Sequence, residues 1–309
     1  MITSVFKKST PINYSFIGIM MILFFFVYQF QDTKWTNSLW RIGEKAGILL
    51  VVFASVFVSN FIVKKNGLTK DSAFTILFYF LFLLFFPKVL DNYNLLLANF
   101  FILLSIRRLV SLQTLKAPKE KIFDAALWVF VASLFHFWAI LFIFLVYISI
   151  IFHVSRDYRN WLIPFVSLFL ASIVFVFYAL LFDKSAINTY LSSNGINYGI
   201  DYFTNVYQNI AFSIYVVFLL FFILPSIFSL TNKPLNLQAS YKKVLFAALI
   251  SIVIFVLSTN KSNEVLVFTF LPMSIMATNM IEYLQNKIQQ ELILFISVAA
   301  ALFCFFTQL

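Results

Sequence analysis

Residues 122–153 read IFDAALWVFVASLFHFWAILFIFLVYISIIFH, and the number of times this stretch crosses a membrane decides the fold. As one helix its 32 residues would rise about 48 Å, half again the roughly 30 Å of hydrocarbon in a bilayer. A break near His136 is therefore expected, giving two short spans in place of one long one. The charges on the flanking loops give an independent test, because Lys and Arg concentrate on the cytoplasmic side. With the break, the chain has eleven apolar runs, at about 13–30, 46–63, 72–87, 92–106, 122–135, 137–152, 160–182, 204–230, 244–258, 264–281 and 291–308. Sixteen Lys and Arg then fall inside. Lys34, Arg41, Lys45, Lys88, Lys184 and Lys261, 6 in all, fall outside. Without the break every later loop changes sides and the bias shrinks to 12 against 10.

The rest of the chain is of the same kind. Of its 309 residues 62% are hydrophobic, 20% aromatic and 11% charged, against about 45–50% apolar and about 25% charged in a soluble domain. Mean hydropathy is +0.95. Too little polar surface remains to cover a soluble fold, so composition excludes a cytosolic globular protein. Lipid offers the backbone no hydrogen-bond partner, and the alternating ten-residue pattern of barrel strands is absent, so the runs are predicted to be helices. The expectation is an all-α polytopic membrane protein of about eleven transmembrane helices (range 9–11), amino terminus cytoplasmic. The segments 92–106 and 122–135 are short for full crossings. Residues 1–309 form one membrane domain, with 183–203 as an outer loop and 204–309 as carboxyl-terminal helices.

The formal charge of +10 does not call for nucleic acid, since the basic residues sit in short clusters between apolar runs, as topology demands. Lys7 and Lys8 precede the first run as in a signal peptide, but no small-residue cleavage site follows it, which predicts an uncleaved first helix. Cys304 is the single cysteine, so neither an internal disulfide nor a Cys-based metal cluster is expected. The 43 Phe read as lipid-facing bulk.

Absences narrow the function. The apolar cores are read as free of Asp, Glu, Lys and Arg, whereas ion-coupled carriers place an ionisable group near the midplane. Discontinuous helices that bind solutes there need Gly or Pro interruptions, and only Pro272 sits near the middle of a span. No phosphate-binding glycine loop, HExxH or GxSxG occurs, and no motif names a cofactor or metal.

Polar chemistry collects on the predicted outer face. Asp32 leaves the first helix at the membrane surface, where partial desolvation suits a carboxylate to general-base work. Asp91 leaves the third run at the same level, and His136 occupies a short turn. Two carboxylates and a histidine at one depth suit hydroxyl activation or a divalent cation. The plainer reading makes the acids caps or solvated charges and His136 an interfacial residue. The loop 183–203, DKSAINTYLSSNGINYGIDYF, has Asn, Ser and Tyr spaced to contact a sugar or lipid, or forms a surface helix and turn. On the inner face Arg107 and Arg108 are candidate lipid-phosphate contacts as well as topology signals.

The stretches FKKSTPINYSFIGIMMILFFFVYQFQ, LLLANFFILLSIRRLVSLQ and FDAALWVFVASLFHFWAILFIFLVYISII resemble, over the whole chain, a family of multi-pass inner-membrane proteins of Bacteroidota that has no assigned activity. That implies a bacterial inner-membrane location. In layout the chain also resembles the amino-terminal module of GT-C-type glycosyltransferases, over residues 1–182. The points of likeness are an acid after the first helix (Asp32), an acid in the next outer loop (Asp91), the basic turn at Arg107 and Arg108, and the split pair around His136. This second resemblance implies transfer of sugar from a polyprenyl-phosphate donor at the outer face, with Asp32 as base and Asp91 and His136 assisting. Membrane lipids and a polyprenyl-phosphate-linked sugar are the implied partners. The first outer loop, 31–45, is shorter than in that class, and no large soluble carboxyl-terminal domain follows. The alternatives are a non-catalytic scaffold of an envelope complex and a lipid or solute carrier.

Overall fold

A computed structural model describes residues 2–192, 195–196, 205–259 and 261–309. Asn260 and most of 193–203 lie outside the described residues, as does the Lys34 side chain. The chain is 85% helical with no strand among the described residues. The α-helices are α1 (Ile2–Phe6), α2 (Pro11–Gln29), α3 (Leu39–Asn66), α4 (Phe74–Phe85), α5 (Tyr93–Val110), α6 (Pro118–Phe135), α7 (Ile143–His153), α8 (Arg159–Leu181), α9 (Ser185–Ser192), α10 (Val206–Phe228), α11 (Leu235–Leu257), α12 (Phe270–Tyr283) and α13 (Lys287–Thr307).

Among the described residues every predicted apolar run falls mainly on α or 3-10 helix, but only eight helical segments there are long and apolar enough to cross a membrane. Phe74–Phe85 and Phe137–His153 are shorter apolar helices. The α6 helix begins Pro-Lys-Glu-Lys and carries Asp124. The run at 92–106 is not short. Its helix continues through a 3-10 turn to Thr114, 22 residues in all, about 33 Å at the α-helical rise.

The chain does break at His136, which leaves α6 in extended conformation (φ −143°, ψ 105°). No Gly or Pro is involved. Residues Phe137–Phe142 form a 3-10 helix before α7, and Asn263–Thr269 form another before α12. Contrary to the expectation from the scarcity of Gly and Pro, two runs therefore change helical type part-way. The change leaves backbone groups to satisfy, and a side chain supplies one partner: Ser251 Oγ donates to the Phe268 carbonyl at 3.0 Å. Asn263 Nδ2 in turn ties the start of the second segment to α10 through the Gln208 carbonyl at 2.8 Å. The two 3-10 segments face each other, with Phe268 5.6 Å from the His136 ring and 6.1 Å from Phe142.

Every residue of α4 is buried. A helix apolar all round is a core element, and its 12 residues span only about 18 Å. Around it Phe78, Phe82, Phe85, Phe86, Tyr215, Phe222 and Phe270 form one aromatic cluster, mostly edge-to-face. The Phe excess is thus only partly lipid-facing, since these rings are the packing core. Rings fill a role that small residues fill in tighter membrane bundles. Hydrogen bonds fix the register within it: Asn99 Nδ2 donates to Tyr79 Oη at 2.9 Å, and Tyr215 and Thr269 share a bond of 2.5 Å.

Contacts between segment junctions sort them into two ends of the bundle. At the amino-terminal end, Lys70 N–H and Ser72 Oγ donate to the Glu282 carboxylate, Gln113 Nε2 to the Asn66 carbonyl, and Tyr241 Oη to the Leu68 carbonyl. At the opposite end Tyr28 meets Asp91, Asn92 meets Glu264, and Gln308 Nε2 donates to the Phe85 carbonyl. The ionisable groups are not all peripheral. Asp124, inside the run 122–135, pairs with Arg108 at 2.8 Å. Lys243 is fully buried in α11, donating to the Leu109 carbonyl at 2.6 Å and lying 3.0 Å from His153 Nε2.

Candidate functional site

The end opposite the amino terminus brings several polar and ionisable side chains to the edge of a cavity of about 1300 Å³. The α4 helix runs on through a 3-10 turn, Pro87–Asp91, which starts with proline where no amide donor is needed. Asn92 then caps α5, its Oδ1 accepting the Leu95 N–H at 3.1 Å. This junction fixes two neighbouring groups. Asp91 accepts from Tyr28 Oη at 2.6 Å through one oxygen and from Lys45 at 2.7 Å through the other, so it stitches α2 and α3 to the turn. Asn92 Nδ2 donates to Glu264 Oε2 at 3.0 Å. The second Glu264 oxygen has no hydrogen-bond partner among the described residues, although that carboxylate is half-buried.

Two cavities meet at this carboxylate. The smaller, about 570 Å³, is lined by Tyr28, Glu44, Lys88, Asp91 and Glu264 among others. The larger, about 1300 Å³, lies between α6, α8, α9 and residues that include Ser258, Thr259, Ser262 and Glu264. Asn92, Asn94 and Glu264 line both. Aromatic rings wall the larger one: Phe135, Phe137, Trp138, Phe175, Tyr178 and Tyr190. Its α8 edge bears Val174 and Tyr178, both exposed on a helix that is only 17% buried, so the cavity opens on the bundle's apolar flank. Across it, α9 is held by a bond between Tyr190 Oη and Ser133 Oγ at 3.3 Å. Within the predicted outer loop, residues 185–192 thus form a surface helix, started by Asp183, whose carboxyl is held below its usual range by the Ser185 hydroxyl and amide.

The predicted site residues divide. His136 lines the larger cavity and Asp91 the smaller, and the two meet only through the shared Asn92, Asn94 and Glu264. Asp32 is exposed in the turn after α2 and lines neither cavity. Arg107 and Arg108 lie at the far end of α5, where Arg107 stacks 4.6 Å from the Phe61 ring and Arg108 pairs with Asp124. Glu264 is the site residue that reading the sequence does not single out. Its signal is an acid at the very start of the apolar run 264–281, which reads equally as a helix cap. Among the described residues no group of three or more His, Cys, Asp or Glu gathers to hold a metal ion.

His136 is half-buried and its Nε2 has no partner among the described residues. Burial pushes its pKa down from 6.5 to about 4, so the ring is neutral at pH 7 and suited to accept or donate one hydrogen bond. The depressed value means that the unfolded chain binds the proton more tightly than the folded one. Stability is then greatest above pH 6.5 and is lost as pH falls from about 6.5 towards 4. The thermal midpoint in detergent is expected to drop across that window. His136→Asn should flatten the drop, and an unchanged slope in that variant would refute the assignment.

A family model matches residues 2–309. The chain belongs to a family of unknown function, DUF6427. The match covers the extent over which the quoted stretches resemble a membrane family without assigned activity, and it carries no chemistry with it. No curated protein and no solved structure matches the chain.

Proposed function

We propose that this protein is a membrane-embedded, GT-C-like transferase acting on a lipid-linked sugar at the outer face of a bacterial inner membrane. The carrying observation is the aromatic-walled cavity of about 1300 Å³ that opens on the apolar flank and ends at the Glu264 carboxylate. A polyprenyl chain fits the apolar side between α6 and α8. A sugar fits the polar end, where aromatic faces pack against its C–H surfaces and Asn92 and Asn94 offer amides. Eleven crossings of alternating direction with a cytoplasmic amino terminus complete the reading. Its supports are the two-ended sorting of the junctions and the charge bias of the loops.

In this reading Glu264 takes the proton from an acceptor hydroxyl as that oxygen bonds to the sugar's anomeric carbon. The bond from that carbon to the phosphate oxygen breaks, and the polyprenyl phosphate leaves as an anion. Lys261 lines the same cavity and supplies positive charge towards the leaving group. His136, neutral, positions the sugar, and Asp91 holds the junction.

The test is binding by the purified protein of undecaprenyl phosphate carrying a hexose. The loaded lipid should raise the thermal midpoint more than undecaprenyl phosphate alone, and Val174→Trp at the cavity edge should remove the effect. No shift, or the same shift in Val174→Trp, would reject the reading. A second reading, a scaffold for partner helices, is favoured by the exposed apolar face of α8, where Phe165, Phe169 and Phe177 are each more than half exposed. It predicts that Val174→Trp loses a co-purifying protein and no lipid.

A further inference from the structure

A third cavity lies at the amino-terminal end, between the last turns of α10 and α12, and has no part in the chemistry above. Its volume is about 450 Å³, within the usual range for ligand sites. Phe228, Met280, Tyr283 and Leu284 form apolar walls, and Asn232 and Lys233 bring the polar groups.

Lys233 is half-buried. Its ammonium donates to Asn279 Oδ1 at 3.0 Å and sits 4.6 Å from the centre of the Tyr241 ring. No carboxylate forms an ion pair with it among the described residues; the nearby Glu282 carboxylate is taken by the Lys70 amide and the Ser72 hydroxyl. Burial lowers the Lys233 pKa, with the Glu282 charge opposing. A half-buried cation whose direct partners are a neutral amide and an aromatic ring, with the Glu282 carboxylate already engaged elsewhere, gains from an anion placed in the cavity.

The surface beside the cavity fixes what kind of anion. Leu224 and Phe228 of α10 and Tyr283 of α12 are exposed at 50%, 79% and 70%, so the cation lies at the foot of a bare apolar seam. A free phosphate would leave that seam uncovered. We propose that the cavity seats one anionic phospholipid, its phosphate against Lys233 and its acyl chains along the α10–α12 seam.

The experiment compares retention of phosphatidylglycerol and phosphatidylcholine by the full-length protein, using native mass spectrometry from mixed micelles. Phosphatidylglycerol should be retained preferentially, and Lys233→Gln should lower that preference about fivefold, the worth of one basic residue at a lipid surface. Lys233→Arg should keep it, and Asn232→Asp, an exposed change that puts a competing anion beside the lysine, should lose it even if Lys233→Gln fails to fold. Lys242→Gln, at an exposed lysine of α11 whose ammonium lies 5.8 Å from the centre of the Phe152 ring and which does not line this cavity, serves as the charge control and should leave the preference unchanged. Equal retention of the two lipids by the unaltered protein, or an unchanged preference in both Lys233→Gln and Asn232→Asp, overturns the proposal. So does stabilisation by inorganic phosphate equal to that by phosphatidylglycerol.

Discussion

Glu264→Gln is expected to lower release of undecaprenyl phosphate from its hexose-loaded form by about 10²- to 10⁴-fold in the purified protein, the range for loss of a positioned general base. That corresponds to roughly 3–5 kcal/mol of transition-state stabilisation. Folding should survive, because the Gln oxygen still accepts from Asn92 and only the charge is lost. Asp91→Asn should behave differently. Its carboxylate is 52% exposed and its partner Lys45 20% exposed, so the pair contributes no more than about 1 kcal/mol and the variant should retain most activity. The competing assignment makes Asp32 the base. Full activity in Glu264→Gln together with a collapse in Asp32→Asn would reverse the two roles.

The largest effect on stability is expected at the centre of the bundle, from Phe82→Ala. Phe82 is 1% exposed and its ring lies between 5.7 and 6.4 Å from those of Phe78, Phe85, Tyr215, Phe222 and Phe270. In lipid the transfer part of the usual Phe→Ala cost largely cancels, because the unfolded reference is also apolar. The cavity part remains: roughly 100 Å³ at about 24 cal/mol per Å³ is about 2 kcal/mol. Denaturation in mixed micelles should show this loss, and Phe82→Leu should recover much of it. The same substitution at Phe169, 69% exposed on α8, should cost far less. Equal costs at the two positions would refute a packed aromatic core.

The helical runs were legible because apolar stretches between polar junctions are a one-dimensional signal. The break at His136 was legible for the same reason: 32 residues exceed what a bilayer accommodates. The Phe excess was misread, since composition does not say which side of a helix faces lipid and which faces α4. The site was legible by region only. Asp91 and His136 could be assigned to one end of the bundle from parity, but Asp91 shares its junction with Glu264, 173 positions further along the chain. No local pattern links such positions. Asp32 stood out because it follows a helix directly, a property that says nothing about whether a cavity lies beside it.

Composition and the lengths of the apolar runs alone point to a helical membrane protein with most of its charges towards the junctions, because hydrocarbon tolerates few other arrangements of a backbone and its ionisable groups. Which acid meets a cavity, which lysine lacks an ion-pair partner and which phenylalanines form the core depend on how helices far apart in sequence pack. Those choices rest on contacts a few ångströms long, so only the assembled tertiary structure makes them.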